Sequence, residues 1–425
     1  MTLNRVPGTG SKTRSRWSTP AVLFSLSLTA KLVAIALTAV VWGRVPLAED
    51  TSSVYRPLAL ALLGGDGYVL AGDVRDASRI PPLTPLLLAG VYALFGPGVS
   101  ATGLAVTGAL LRALTTVLVY GLGVRLLGPS VAVVAALLHA LDPWEATWVW
   151  LLKDSLAVFL FMAAAVEIQA ALDRPDWRRS LGGGALLGLA TLSRYVAMGF
   201  AIPVLVVIGL RARAGRLTVR EGGRLTLGLL AGLALTLAPW LVRNRIVLGE
   251  TALSTHFAGR HFYVGNGPGA ERSGSGYAGD ALPPSGLIRE VERSAHSVRE
   301  SEWRLLRGGL VPLWEQPSRV LVLARSKLVN MWRPTYRDAS RRGWVLLGLP
   351  YLLVMALALV GLGLAVRRRL DLAIPYAAVS YYLAASLVFY AEIRQRQFLT
   401  PFLVLFAGMA VVTAWRAAVS KHSRP

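Results

Sequence analysis

Residues 48–85 read AEDTSSVYRPLALALLGGDGYVLAGDVRDASRIPPLTP, a stretch that sets carboxylates and arginines between two long apolar regions. It opens on the acidic pair Glu49 and Asp50, passes through a short apolar segment, and closes on Arg79 and a proline cluster. A soluble core does not readily explain charges placed this way, so the chemistry is expected here and the fold is decided by what lies on either side.

Upstream, residues 20–42 form an uninterrupted apolar run behind a polar tail, residues 1–19, that carries Arg5, Lys12, Arg14 and Arg16. The run exceeds the roughly 7–15 residues of a signal-peptide core and no A-x-A cleavage site follows, so it reads as a signal anchor with a cytoplasmic N-terminus. Downstream, apolar runs near the roughly 20 residues that cross a bilayer recur along the chain. With 54% hydrophobic and 16% charged residues in 425, the chain is an all-α integral membrane protein by composition.

Ten spans are expected, near 20–42, 101–124, 130–142, 153–172, 181–193, 196–210, 225–242, 343–366, 371–390 and 397–415. Residues 86–95 are apolar but short for a crossing and are expected along the membrane surface. Drawn so, Arg125, Arg174, Arg178, Arg179, Arg211, Arg213, Arg216, Arg220, Arg224, Arg367 to Arg369, Arg416 and Lys421 all fall on one side, the cytoplasmic one. Both termini are then cytoplasmic. The chain divides into the 1–19 tail, a transmembrane module 20–242 holding a first outer loop 43–100, an outer segment 243–342, a second transmembrane module 343–416, and a tail 417–425. In the outer segment, 265–284 reads as loop, while 285–307 and 317–332 have helical spacing. Val320, Leu323, Leu328 and Met331 beside Arg319, Arg325 and Lys327 suggest a helix lying against lipid headgroups.

The formal charge of +22 points to anionic partners, lipid headgroups or a phosphate-bearing substrate. Nucleic acid is not expected, because the charges sit at the ends of apolar segments rather than on a soluble basic face. Cysteine is absent, which removes disulfides and thiol nucleophiles together. His256 and His261 are five apart with no carboxylate ligand in view, so no metal and no cofactor is expected.

Several short motifs now line up. Tyr55-x-x-Leu58-Ala59-x-x-Leu62-Leu63-x-Gly65-x-Gly67-Tyr68 is followed by Arg79-x-Pro81-Pro82-x-x-Pro85 and by Leu94-Phe95-Gly96. Further on come Pro239-Trp240-x-x-Arg243-Asn244, Gly259, Gly265-Asn266 and Arg394-x-Arg396-x-x-x-x-Pro401. In this order they resemble the polytopic glycosyltransferases of the GT-C type, and within them family 39, the protein mannosyltransferase-like and aminoarabinose-transferase-like enzymes. The resemblance implies transfer of a sugar from a polyprenyl-phosphate donor to a glycan, lipid or protein acceptor on the outer side of the cell membrane. It implies a general base at Asp50, with Glu49 adjacent as the competing assignment, and a second acidic residue at Asp154, preceded by Lys153.

Elementary chemistry agrees. A glycosyl phosphate already has a good leaving group, so an enzyme needs a base for the acceptor hydroxyl and cations for the departing phosphate. One base with in-line attack gives inversion. Arg243, Arg394 and Arg396, at outer span ends, are candidate phosphate ligands, with Arg79 or Lys153 contributing from the loop side. The plain readings stand beside these: Glu49 and Asp50 as helix caps, Asp154 as the partner of Lys153, the arginines as headgroup anchors. Lys31 and Arg112 lie inside spans, where a charge is costly, and Arg112 is expected to hold the bundle together. A transporter or flippase of a lipid-linked intermediate, or a non-catalytic subunit of envelope assembly, would share many of these features.

Overall fold

In the computed structural model the described residues are 18–46, 48–256, 258–270, 288, 290–291, 294–336 and 339–422. They are helical throughout, with one isolated β-bridge, Leu70 to Asp73, in place of any strand. Among the described residues, seven helices are long and apolar enough to cross a bilayer. They are α1 (Ser18–Trp42), α5 (Ala101–Leu127), α8 (Leu152–Asp173), α10 (Tyr195–Arg213), α11 (Val219–Leu248), α15 (Arg341–Arg367) and α17 (Thr400–His422). The three other expected spans are present as the shorter helices α6 (Pro129–Leu141), α9 (Trp177–Ser193) and α16 (Ala373–Val388). Between α1 and α5 lie α2 (Arg56–Gly64), α3 (Val74–Ala77) and α4 (Leu83–Phe95), the last covering the segment expected at the membrane surface. A short α7 (Pro143–Thr147) joins α6 to α8.

Burial shows which faces pack against protein and which are left exposed. In α1 only Leu23, Ser27, Lys31 and Ile35 are buried, four residues apart each time, so one narrow stripe packs inward and the other faces offer Val33, Leu37, Val40 and Trp42 outward. Two of the four inward residues are polar, and they are met: Ser27 bonds the Thr116 hydroxyl at 2.8 Å, and Lys31 donates to Ser27 at 3.0 Å and to the Ala140 carbonyl at 3.3 Å. Helices α9 and α11 approach until backbones touch. A Cβ on Gly184 would stand 2.1 Å from the Leu229 carbonyl oxygen, and one on Gly232 2.0 Å from that of Leu181, so small residues set this crossing, as in other membrane helix pairs. The main core gathers aromatic rings on Phe161, which makes edge contacts with Phe200, Tyr382, Phe398 and Phe402.

The segment between α11 and α15 departs most from expectation. α11 runs to Leu248 instead of ending at 242, and stops at Gly249, whose φ of 74° is the left-handed conformation that glycine adopts freely. The Pro239 to Asn244 motif therefore sits on the last turns of a helix. Residues 250–255 fold back over it: Trp240 donates to the Leu253 carbonyl and Asn244 to that of Ala252. A helix α12 (Ala258–Asn266) occupies the start of the expected loop and contains His261, while 271–284 lies outside the described residues. The helix expected over 285–307 is described at α13 (Val298–Glu315), and the one expected over 317–332 is α14 (Ser318–Trp332). The tail expected from 417 is still helical to His422; residues 1–17 and 423–425 lie outside the described residues.

Candidate active site

α8 is the hub of the site, because consecutive side chains on its first turn point about 100° apart. Lys153, Asp154 and Ser155 therefore reach three different neighbours. Lys153 pairs with Asp50, Asp154 pairs with Arg194 at 3.1 Å, and Ser155 accepts from Arg112 at 2.9 Å.

Asp50 precedes a π-turn, Thr51–Tyr55, that leads into α2. Such wide turns are uncommon and recur at functional sites. Here the turn buries Tyr55, whose ring lies 5.6 Å from the Lys153 ammonium. Burial pushes the Tyr55 phenol well above its ordinary value, and the Asp50 carboxylate adds to the effect. Asp50 stays about 30% exposed and lines a cleft of about 490 Å³ with Glu49, Ser53, Trp150 and Arg394. Glu49 is exposed at the rim, with no ion pair among the described residues.

Arg394 enters from the 3₁₀ turn Ile393–Phe398, which Glu392 and Gln395 open with a capping box. With three residues per turn, positions 394 and 397 share one side and 396 takes another. Arg394 holds Glu392 at 2.5 Å on the side that faces Asp154. Burial works against its charge, but the Glu392 and Asp154 carboxylates outweigh burial and keep the guanidinium charged above its ordinary range. Arg194 behaves alike: burial opposes its charge and Asp154 more than restores it.

Among the described residues, no hydrogen bond or ion pair gives Arg243, Arg394 and Arg396, expected to meet at one phosphate, a partner in common. Arg243 donates to the Ser78 hydroxyl at 2.6 Å, to Asn244 at 2.8 Å and to the Tyr68 carbonyl at 3.0 Å, and lies on the Trp240 ring. It fastens the first long loop to the end of α11. Arg396 is buried in an aromatic cage, 3.9 Å from the Tyr351 ring centre and 4.6 Å from that of Trp144, and donates to the Arg333 carbonyl. Arg79 pairs with Asp76 at 2.7 Å. Asp154 is completely buried, so it reaches the cleft through the arginines it holds and not by its own oxygens. His261 stacks on Tyr390, and His256 lies 3.5 Å from Arg260.

The sequence motifs include Tyr55 without giving it a role in the site, and they pass over Arg194, Glu145 and Gln397. Arg194 carried a signal, since it is the one charge in the turn between the spans at 181–193 and 196–210. Glu145 pairs with Arg112 at 2.6 Å, both fully buried, and lies 3.6 Å from His139. Arg112 thus cross-links α5, α7, α8 and the turn at Gln397, the bundle-holding role expected of it.

Comparison with known proteins now bears on this geometry. Residues 79–242 match the family model described as dolichyl-phosphate-mannose-protein mannosyltransferase. The archaeal oligosaccharyltransferase AglB from Archaeoglobus fulgidus, solved with an inhibitory peptide and a dolichol-phosphate, is 14% identical and superposes with a TM-score of 0.58 over 98% of this chain and 53% of its own. A structure of the Archaeoglobus fulgidus oligosaccharyltransferase tethered to an acceptor peptide gives 13%, 0.57, 95% and 50% for the same measures. ArnT from Cupriavidus metallidurans bound to undecaprenyl phosphate gives 15% identity and a TM-score of 0.47 over 96% of this chain and 80% of its own, too loose a superposition to build on. No curated protein matches significantly. The chain spans about half the length of the oligosaccharyltransferases it matches. By its helical architecture and this superposition, the chain has the polytopic helical fold seen in these oligosaccharyltransferases, and its residues 79–242 match the mannosyltransferase family model.

Proposed function

We propose that the chain is a membrane glycosyltransferase that moves a sugar from a polyprenyl-phosphate carrier to an acceptor hydroxyl or amide at the face bearing Asp50, which the arginine asymmetry makes the outer one. One observation carries the reading. Asp50, gripped by Lys153, lines the same cleft as Arg394, so a carboxylate and a guanidinium face one space large enough for a sugar. The match of residues 79–242 to a family named for a lipid-phosphate sugar donor, and the dolichol-phosphate held by a protein of similar fold, support the donor class.

In this mechanism the acceptor attacks the anomeric carbon in line with the phosphate. The bond from that carbon to the phosphate oxygen breaks, its electron pair leaves with the phosphate, and the acceptor's proton passes to Asp50. Configuration inverts, because a single displacement needs no nucleophilic carboxylate. Lys153 fixes the Asp50 carboxylate. Arg394, backed by Asp154 and Arg194, takes up the growing phosphate charge. Arg243 and Arg396 are given structural roles in place of the phosphate-binding ones.

The test is turnover of a panel of polyprenyl-phosphate sugars by purified protein. Asp50→Asn keeps the shape of the residue and should lose about a hundredfold to ten-thousandfold in rate, with binding of the carrier lipid nearly unchanged. Loss on Glu49→Gln with Asp50→Asn active would move the base to Glu49. Activity in both variants would refute the catalytic reading of the cleft and leave Asp50 as the partner of Lys153 alone.

A further inference from the structure

Lys31 is completely buried near the middle of the 25-residue α1, and no carboxylate among the described residues pairs with it. Its ammonium donates instead to Ser27 at 3.0 Å and to the Ala140 carbonyl at 3.3 Å. Ser27 in turn bonds the Thr116 hydroxyl at 2.8 Å, and Thr116 bonds Nδ1 of His139 at 2.9 Å. We propose that Lys31 is a positioning residue: with Ser27 it locks the register of α1 against α5 and the end of α6, and through α1 it sets the place of Asp50. The proposal rests on the reading of the cleft as an active site.

The end of α6 explains why a cation is kept there. At 13 residues α6 runs about 20 Å, short of the roughly 30 Å of a hydrocarbon core, and its last turn, with His139 and Ala140, is buried in the bundle. Pro143 has no N–H to continue the helix, and the Trp144 N–H, four residues after Ala140, is taken by the Asp142 carboxylate at 2.9 Å. The Ala140 carbonyl therefore lacks a helical partner. Lys31 supplies one, and so places positive charge where the helix dipole is negative. An ammonium among apolar side chains is costly, and here its two acceptors and the dipole offset that cost.

Of the four inward residues of α1, only Ser27 and Lys31 are polar. A slide of four residues, about 6 Å, could keep Leu23 and Ile35 in apolar surroundings but would strand both polar groups. Buried polar residues fix register in coiled coils in the same way. From Lys31 the path to the cleft is short. Ile35, one turn on, is buried with Val45, Ala105, Ala109 and Val149, and Trp150 packs against that cluster while lining the cleft of Asp50. A Cβ on Gly108 would stand 1.8 Å from the Val149 carbonyl oxygen, so α5 holds this wall in direct backbone contact. Asp50 follows Val45 by five residues. A plainer role is that Lys31 and Ser27 add stability with no bearing on Asp50.

Lys31→Met keeps the stem and removes the donors. Thermal unfolding of the full-length protein in detergent is compared for wild type, Lys31→Met, Asp50→Asn and the double variant. Lys31→Met should lower Tm by several degrees; a Tm equal to or above that of wild type means a charge merely tolerated, and overturns the lock. Lys31 and Asp50 bond no common residue among the described ones, so independent effects would add, whereas a displaced Asp50 has already lost its hold on Lys153. The double variant should therefore lose less than the sum of the singles, and additive losses overturn the positioning role. With any donor that wild type turns over, Lys31→Met should lower kcat about tenfold or more, with polyprenyl phosphate binding within a fewfold. Added to Asp50→Asn, it should lower kcat by less than about twofold further. An unchanged kcat, or a loss that multiplies in full with that of Asp50→Asn, leaves only the plainer role and overturns the proposal. If Lys31→Met is not recovered from membranes, Ser27→Ala, which removes the Thr116 bond and one Lys31 acceptor, takes its place in every comparison with the same expectations. Should wild type use no donor in the panel, the proposed function fails, and the Tm comparison still decides the positioning of Asp50.

Discussion

An arginine at the end of a membrane span can spend its charge on a headgroup, a ligand or its own protein, and the three late arginines divide along these lines. Arg243 makes three hydrogen bonds and lies over two rings, all within the protein. Arg243→Ala should therefore cost about 1.5–3 kcal/mol of stability, as lost hydrogen bonds to charged groups do, and leave polyprenyl phosphate binding within a fewfold of wild type. Arg394 faces the cleft, and Arg394→Ala should weaken binding of the same lipid tenfold or more, about 1.4 kcal/mol per factor of ten. Titration of polyprenyl phosphate into both proteins, with thermal unfolding alongside, checks the pair; the opposite pattern would return Arg243 to the site and remove Arg394 from it. The sequence shows that each arginine stands at a span end. It does not show direction, because in the turn 393–398 a shift of two residues carries a side chain from the acidic side to the aromatic cage. Asp50, Lys153 and Asp154 were legible because charges at the edge of an apolar run stand out one at a time. Gln397 and Glu145 were not: an uncharged amide and a carboxylate in a short turn show their value only through a partner 285 or 33 residues away.

At the scale of the element, α14 shows what periodicity can and cannot tell. Its helical spacing was plain, and its bounds lie within a residue of the expected ones. Its facing was not. Leu323 and Met331, assigned to the headgroup side with Val320 and Leu328, are buried against the protein together with Lys327 and Asn330, while Val320, Leu321, Val322 and Val329 are exposed. In a soluble helix the apolar side is the inner side, but beside a bilayer both sides accept apolar residues and the rule loses its sign. The inward Lys327 donates to Asn266 at 2.9 Å and to the Leu387 carbonyl at 2.8 Å, tying α14 to α12 and to the end of α16. No carboxylate among the described residues pairs with it, and burial lowers its pKa to about 8. The unfolded chain then binds more protons than the folded one between pH 8 and the ordinary lysine value of 10.5, so this group makes the protein more stable as pH rises through that window. A pH series of thermal unfolding should show the rise in wild type and a flatter profile in Lys327→Met, which keeps the stem and removes the charge. Equal slopes in the two proteins would mean that the ammonium is solvated.

The whole molecule tests the arginine count that set its orientation. Asp50, Glu145, Lys153, Arg194 and Arg394 come from five separate stretches: the loop 43–100, the turn after α6, the start of α8, the turn after α9 and the turn after α16. Each stretch falls on the outer side when ten spans are drawn, and the structure gathers Asp50, Lys153, Arg194 and Arg394 around one cleft and α8. Alternation of spans alone thus predicts which turns can share a site, and that much was readable because every long apolar helix must switch sides. Which side is cytoplasmic rests on charge. The long segment 243–342 is arginine-rich and runs against the count, though long segments cross membranes largely regardless of charge. Because the chain has no cysteine, single cysteines give a clean readout. Replacing exposed Ser52, in the first loop, and exposed Ser318, at the start of α14, should give two proteins that react with an impermeant thiol reagent in intact cells. Arg174→Cys, in the exposed turn between α8 and α9, should stay protected until lysis. Labelling of Ser52 with protection of Ser318 would place the two loops on opposite sides and add or remove a span between them. Protection of both with labelling at 174 would invert the molecule, put the cleft on the cytoplasmic face, and require a donor supplied from that side.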